Sequence, residues 1–186
     1  MAEPTGAPAP PTDKVGRALF AITRAVALLG GFVLFAMAVL TAVSVTGRAA
    51  LSAPIPGDFE LISIGTGIAV FAFLPYCQLM RGNVLVDFIM SRAPTRAKTA
   101  CDAFGNLLYL VIAVALTRQL ALGGLDMYRY SEKTITINFP RWTTFPVAVL
   151  LLVLLSVVVA YTLWRSLAET RANRYFERDA PADADR

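Results

Sequence analysis

Four long uncharged runs divide this chain, and the charges, prolines and glycines collect between them. The first run is free of charge from Ala25 to Gly47, between Arg24 and Arg48, and the second extends from Leu61 to Met80. The fourth extends from Trp142 to Trp164. Each holds the roughly 20 apolar residues that a helix needs to cross a bilayer. The third uncharged window, Ala103 to Thr117, would reach only about 22 Å as a helix, so it must extend past Arg118 toward Leu125. The pattern predicts an all-α integral membrane protein with four transmembrane helices, at about 20–47, 58–80, 97–125 and 142–166.

The segments between the runs differ from one another. Ser52 to Asp58 carries two prolines and a glycine, which forbid a continuous helix. Residues 83–93 are too short and too polar to span. Asn83, Asp87 and Ser91 recur every four residues, with Leu85, Phe88, Ile89 and Met90 turned away from that stripe. This predicts a short amphipathic helix in the membrane interface, ended by Pro94. Pro75 should kink the second helix or loosen its last turns. Gly123 and Gly124 are expected to break or end the third helix, and the β-branched Thr134 to Asn138 to be extended. Residues 1–16 are rich in proline, alanine and glycine and read as a disordered tail. Residues 17–168 form the membrane domain, and 169–186 a polar tail. The first run is longer than a signal-peptide core and no small-residue cleavage site closes it, so a retained first helix is expected.

Composition agrees with the pattern. The chain is 56% hydrophobic and 16% charged, with mean hydropathy +0.60, against about 25% charged in soluble domains. A net charge of +4 would also suit a nucleic-acid binder. The basic residues sit mostly at helix ends, however, where they set orientation in a membrane. Lys14, Arg17, Arg24, Arg81, Arg92, Arg96, Lys98, Arg165, Arg171, Arg174, Arg178 and Arg186 fall on one side. Arg48, Arg118, Arg129, Lys133 and Arg141 fall on the other. Twelve against five places both termini in the cytoplasm.

No catalytic constellation is evident. The chain has no histidine, which excludes a Ser-His-Asp triad, histidine-ligated haem and a histidine proton relay. Cys77 and Cys101 form no CxxC pair. No phosphate loop, HExxH or GxSxG motif is present, and no ionisable residue sits at the centre of a spanning helix. Neither an enzyme activity nor a cofactor is expected, and the absence of an internal repeat points to an accessory subunit.

Some positions stand out as contacts. Gly65 and Ala69, like Ser63 and Gly67, have the four-residue small spacing that lets another helix approach. Gly30, Gly31, Ala38 and Ala42 could do the same on the first helix, or be ordinary members of an alanine-rich chain. Asp58 and Glu60 open the second helix, either as caps or as partner contacts. Asp102, Asn106, Tyr109 and Ala113 share one face of the third helix. Such polar groups face protein or water rather than lipid. Arg118 lies off that face, where it either snorkels to the interface or meets a partner. Trp142 and Trp164 sit at the two aromatic belts.

The stretch Gly57 to Pro94 carries a family resemblance. Glu60 at the helix head, Pro75-Tyr76 near its end, Arg81-Gly82 and Val86-Asp87 resemble the small membrane subunit of tripartite ATP-independent periplasmic (TRAP) transporters, the DctQ-like family. Pro140-Arg141-Trp142 and Phe145-Pro146 continue the likeness, which covers roughly Ala25 to Trp164. Order, spacing and hydropathy carry it together. Asn83 stands where relatives often have a histidine.

The resemblance implies a scaffold subunit in a bacterial inner membrane, part of a sodium-driven importer of an organic anion. Its partners would be a large membrane subunit (DctM-like), which holds the substrate and sodium sites, a periplasmic substrate-binding protein and the lipid bilayer. Glu60, Gly65, Ala69, Arg81, Asp87, Asp102, Asn106 and Arg118 then become candidate subunit contacts. Tyr128, Arg129 and Arg141 become candidate contacts for the periplasmic partner, and Trp142 and Trp164 membrane anchors. The other classes considered are a stand-alone four-helix carrier, for which Asp102 would be the only coupling acid, and a membrane anchor of an enzyme complex.

Overall fold

The structure, a computed structural model, describes residues 13–51, 55–80 and 95–172. The expected interfacial helix at 83–93, with Arg81 and Asp87, lies outside the described residues. Four helices make up the fold: α1 Lys14–Leu51, α2 Asp58–Leu79, α3 Thr95–Arg129 and α4 Thr144–Ala172. A 3-10 turn, Arg141–Thr143, leads into α4. All four are long and apolar enough to cross a membrane, and no strand is present among the described residues beyond one isolated bridge between Lys133 and Pro140.

The helices are longer than the uncharged runs because charged residues at the ends continue the same backbone. At 38 residues, α1 spans about 57 Å, well beyond a bilayer core of about 30 Å. It begins at Lys14, inside the stretch expected to be a tail, where the Arg17 N–H already donates to the Asp13 carbonyl at 2.9 Å. Pro75 lies within α2, which continues to Leu79, and its side chain is fully buried. Gly123 and Gly124 do not end α3 as expected, since the helix runs on to Arg129. A Cβ on Gly124 would lie 2.7 Å from the Phe145 Cβ, so this glycine is there for close packing on α4. Residues 135–137 form a turn rather than an extended run. The Thr134 N–H donates to the Phe139 carbonyl at 2.9 Å and Asn138 adopts a left-handed φ of 51°, so the loop folds back on itself.

Packing follows side-chain size. α1 lies along α2, α2 against α4, and α4 against α3, which leaves α1 and α3 at the ends of the row. α4 is the central element. Leu152, Leu155 and Val159 are buried with Ala113 of α3, and Phe71 and Leu74 of α2 close over them. Toward the end where α1 begins and α4 finishes, Val158 and Tyr161 meet Leu19 of α1 and Leu79 of α2. The outward faces of α1 and α3 are apolar: Leu28, Phe32 and Phe35 on one, and Phe104, Leu108 and Val111 on the other, are exposed. Lipid or a partner helix covers such faces.

Candidate functional site

Two polar clusters sit at opposite ends of the helix bundle. The first is at the end that holds the α1–α2 and α3–α4 connections. Gly57 precedes α2 in a left-handed conformation, φ 78°, with no side-chain cap. A side chain there would lie 2.5 Å from Ile137 Cγ2, so the residue must be small as well as left-handed. Asp58 follows. Its carboxylate accepts a short hydrogen bond from the Ser44 hydroxyl and one from Arg48 Nη2 at 3.3 Å. This joins the start of α2 to the last turns of α1. Ser44 is 1% exposed, so the tie is inside the fold although Arg48 is largely solvated.

Glu60 reaches the other way. Its carboxylate accepts the backbone N–H of Thr136 at 3.0 Å and that of Ile137 at 3.4 Å, in the loop between α3 and α4. A carboxylate that takes two backbone donors makes stronger bonds than a neutral acceptor. The same loop is tied internally, because the Thr134 hydroxyl accepts the Phe139 N–H at 2.9 Å. Its tip is outward, with Ile135 96% exposed.

The second cluster lies near the end where α1 begins and α4 finishes. Gln78 Nε2 of α2 donates to Asn106 Oδ1 of α3 at 2.8 Å and to the Thr162 hydroxyl of α4 at 3.2 Å. Asn106 Nδ2 donates to the Ser166 hydroxyl at 3.2 Å. Gln78, Thr162 and Ser166 are buried, and among the described residues no buried side-chain polar atom lacks a partner. Amide and hydroxyl groups that bond across helices in this way hold them together in a membrane.

The positions singled out in the sequence divide accordingly. Gly65 packs under Met37 of α1, where a Cβ would lie 2.5 Å from the sulfur. Ala69 is fully buried, and its backbone lies beside Gly30 of α1. Gly30 in turn leaves no room beside Ala72, at 2.8 Å for an added Cβ, whereas Gly31 and Gly67 face open space. Asn106 and Ala113 lie on the α3 face turned into the row, and the Asp102 side chain is outside the described residues. Arg118 is exposed on α3. Tyr128 is exposed and meets Trp142 edge to face, with ring centroids 5.3 Å apart. Arg129 stands 4.0 Å from Asp126, an exposed pair. Arg141 is exposed, and its backbone N–H donates to the Glu132 carbonyl at 3.1 Å. Trp164 is exposed beside Tyr161.

Sequence reasoning passed over Gln78, Thr162, Ser166 and Ser44. Gln78 is the amide in an otherwise apolar run, and Thr162 and Ser166 are four apart on α4, so the signal was present. What the sequence lacks is any statement that these faces meet. Among the described residues no group of three or more His, Cys, Asp or Glu side chains could hold a metal ion.

One family model matches the chain. It is described as the DctQ component of tripartite ATP-independent periplasmic transporters and aligns with residues 37–169. No curated protein and no solved structure matches.

Proposed function

The chain belongs to the DctQ family of TRAP transporter membrane components, which its match over residues 37–169 shows, and from that premise we propose that it is a static scaffold rather than a transport path. The observation that carries this reading is where its polar side chains go. Asp58 bonds Ser44 and Arg48, Glu60 bonds the α3–α4 loop, and Gln78 bonds Asn106 and Thr162. Each tie joins two parts of this chain. A moving carrier needs its helices to separate and rejoin, whereas these bonds resist that.

In this reading a large membrane subunit carries the substrate and sodium sites and packs on the apolar faces of α1 or α3. Imported substrate is an organic anion, delivered by a periplasmic binding protein. The protein lies in a bacterial inner membrane with both termini in the cytoplasm, by the charge bias of its ends. The loop held by Glu60, with Ile135 and Arg141 at its surface, then faces the periplasm and the binding protein. Reconstitution tests the proposal. Liposomes with this chain alone should take up no organic anion under a sodium gradient. Liposomes that also contain the large subunit, with binding protein added, should. Sodium-driven uptake by this chain alone would overturn the scaffold reading in favour of a stand-alone carrier.

A further inference from the structure

A cleft of about 370 Å³ opens where α3 ends and α4 begins. Tyr128 and Arg129 come from the last turn of α3, Ser131 and Lys133 from the start of the loop, and Pro140 and Trp142 from its end. We infer that this cleft binds the phosphate of a phospholipid headgroup in the leaflet on the loop side.

The chemistry is that of a phosphate site. Two cations, Arg129 and Lys133, line one small volume with a hydroxyl, Ser131. A guanidinium offers a planar fork of donors that matches phosphate oxygens, and an ammonium adds a point charge. Neither cation is strongly engaged within the chain. Arg129 has Asp126 at 4.0 Å, with side chains 75% and 62% exposed, and Lys133 has no ion pair among the described residues. The simplest alternative for Arg129 is that it complements the negative end of α3. That leaves Lys133, Ser131 and the aromatic wall unexplained.

The level in the membrane also fits. The spanning segments end at Arg129 and restart at Arg141, so the cleft lies just beyond the apolar part of both, the level at which a headgroup layer begins in a bilayer. Tyr128 and Trp142 pack edge to face there, and amphipathic rings favour that depth. The walls are also fixed relative to one another. Ser131, at φ 50°, reverses the chain, and the Ser131 and Glu132 N–H groups donate to the Tyr128 and Met127 carbonyls, each at 3.2 Å. The bridge between Lys133 and Pro140 and the Arg141 N–H bond to Glu132 hold the far wall. A site formed before its ligand arrives avoids the cost of ordering it. The inference depends on the multi-pass fold and not on the transport partners.

The test uses the full chain in neutral-detergent micelles, with Trp164→Phe so that Trp142 alone reports. Phosphatidylethanolamine, diacylglycerol of the same acyl chains and inorganic phosphate are titrated separately. Phosphatidylethanolamine should bind at least about tenfold more tightly than diacylglycerol, the scale of one or two charge-assisted bonds. Arg129→Gln with Lys133→Gln should abolish that preference, and Arg129→Lys with Lys133→Arg should retain most of it. If the glutamine variant does not fold, high salt decides: it should weaken phosphatidylethanolamine binding to the original protein. Equal binding of diacylglycerol, binding unmoved by salt, or binding unmoved by the glutamine pair overturns the proposal. Inorganic phosphate binding as tightly as the lipid would make this a free-anion site instead. Loss of binding-protein capture in the glutamine variant, with lipid binding intact, would assign the cleft to a protein partner instead.

Discussion

The Glu60 carboxylate and the Thr136 N–H meet at 3.0 Å across 76 residues of sequence. One oxygen of the same group takes Thr136 and the other takes Ile137. The acid that opens α2 therefore sets the position of a loop that the chain reaches only after crossing the membrane twice more. Glu60→Gln should free the Thr136 and Ile137 amides to exchange faster, because a charged acceptor of two backbone N–H groups is replaced by a neutral one. Hydrogen exchange resolved to the loop peptide would check this. Protection equal to wild type would mean that the loop holds its shape without Glu60.

The Met37 side chain of α1 occupies the space beside Gly65, where an added Cβ would lie 2.5 Å from the sulfur. Gly65→Leu should destabilise the fold by about 1–3 kcal/mol, the usual cost of overpacking. Met37→Ala in the same chain should recover part of that loss, because it removes the sulfur that the new side chain meets. Thermal unfolding of the single and double variants in detergent measures both effects. If Met37→Ala gives no recovery while co-purification of the large subunit is lost, Gly65 contacts the partner as well as α1.

Gln78 joins α2 to both α3 and α4. Gln78→Leu leaves Asn106 Oδ1 without its donor and should cost about 1–2 kcal/mol, in the range for hydrogen bonds between membrane helices. Asn106→Leu should cost a similar amount, since it removes both the acceptor for Gln78 and the donor to Ser166. The double variant should cost less than the sum of the two, because both polar groups are then gone. A double-mutant cycle on unfolding in mixed micelles would reveal strict additivity if the two residues were not coupled.

Orientation predicts a simple outcome. A reporter active only in the periplasm should be silent when fused after Arg186 and active when inserted near Ser131. The reverse pattern would place the Glu60-held loop in the cytoplasm and remove it from the reach of a periplasmic partner.

The four spanning helices were legible in the sequence because hydrophobicity is local: an uncharged run of sufficient length must be satisfied within itself in lipid, and a helix does that. The family was legible too, from residues in order along the chain. Pairing was not. Gly65 has the same small-residue spacing as Gly67's own pair, yet only Gly65 meets Met37 and Gly67 faces open space, since the choice depends on how α2 is rotated against α1. Gly124 reads as a helix breaker in one dimension and is a packing contact in three, because Phe145 occupies the volume a side chain would need. Glu60 reads as a first-turn acid that suits the helix dipole. Only the folded arrangement brings the Thr136 and Ile137 amides to it, and that long-range geometry turns a local helix signal into a tie between distant loops.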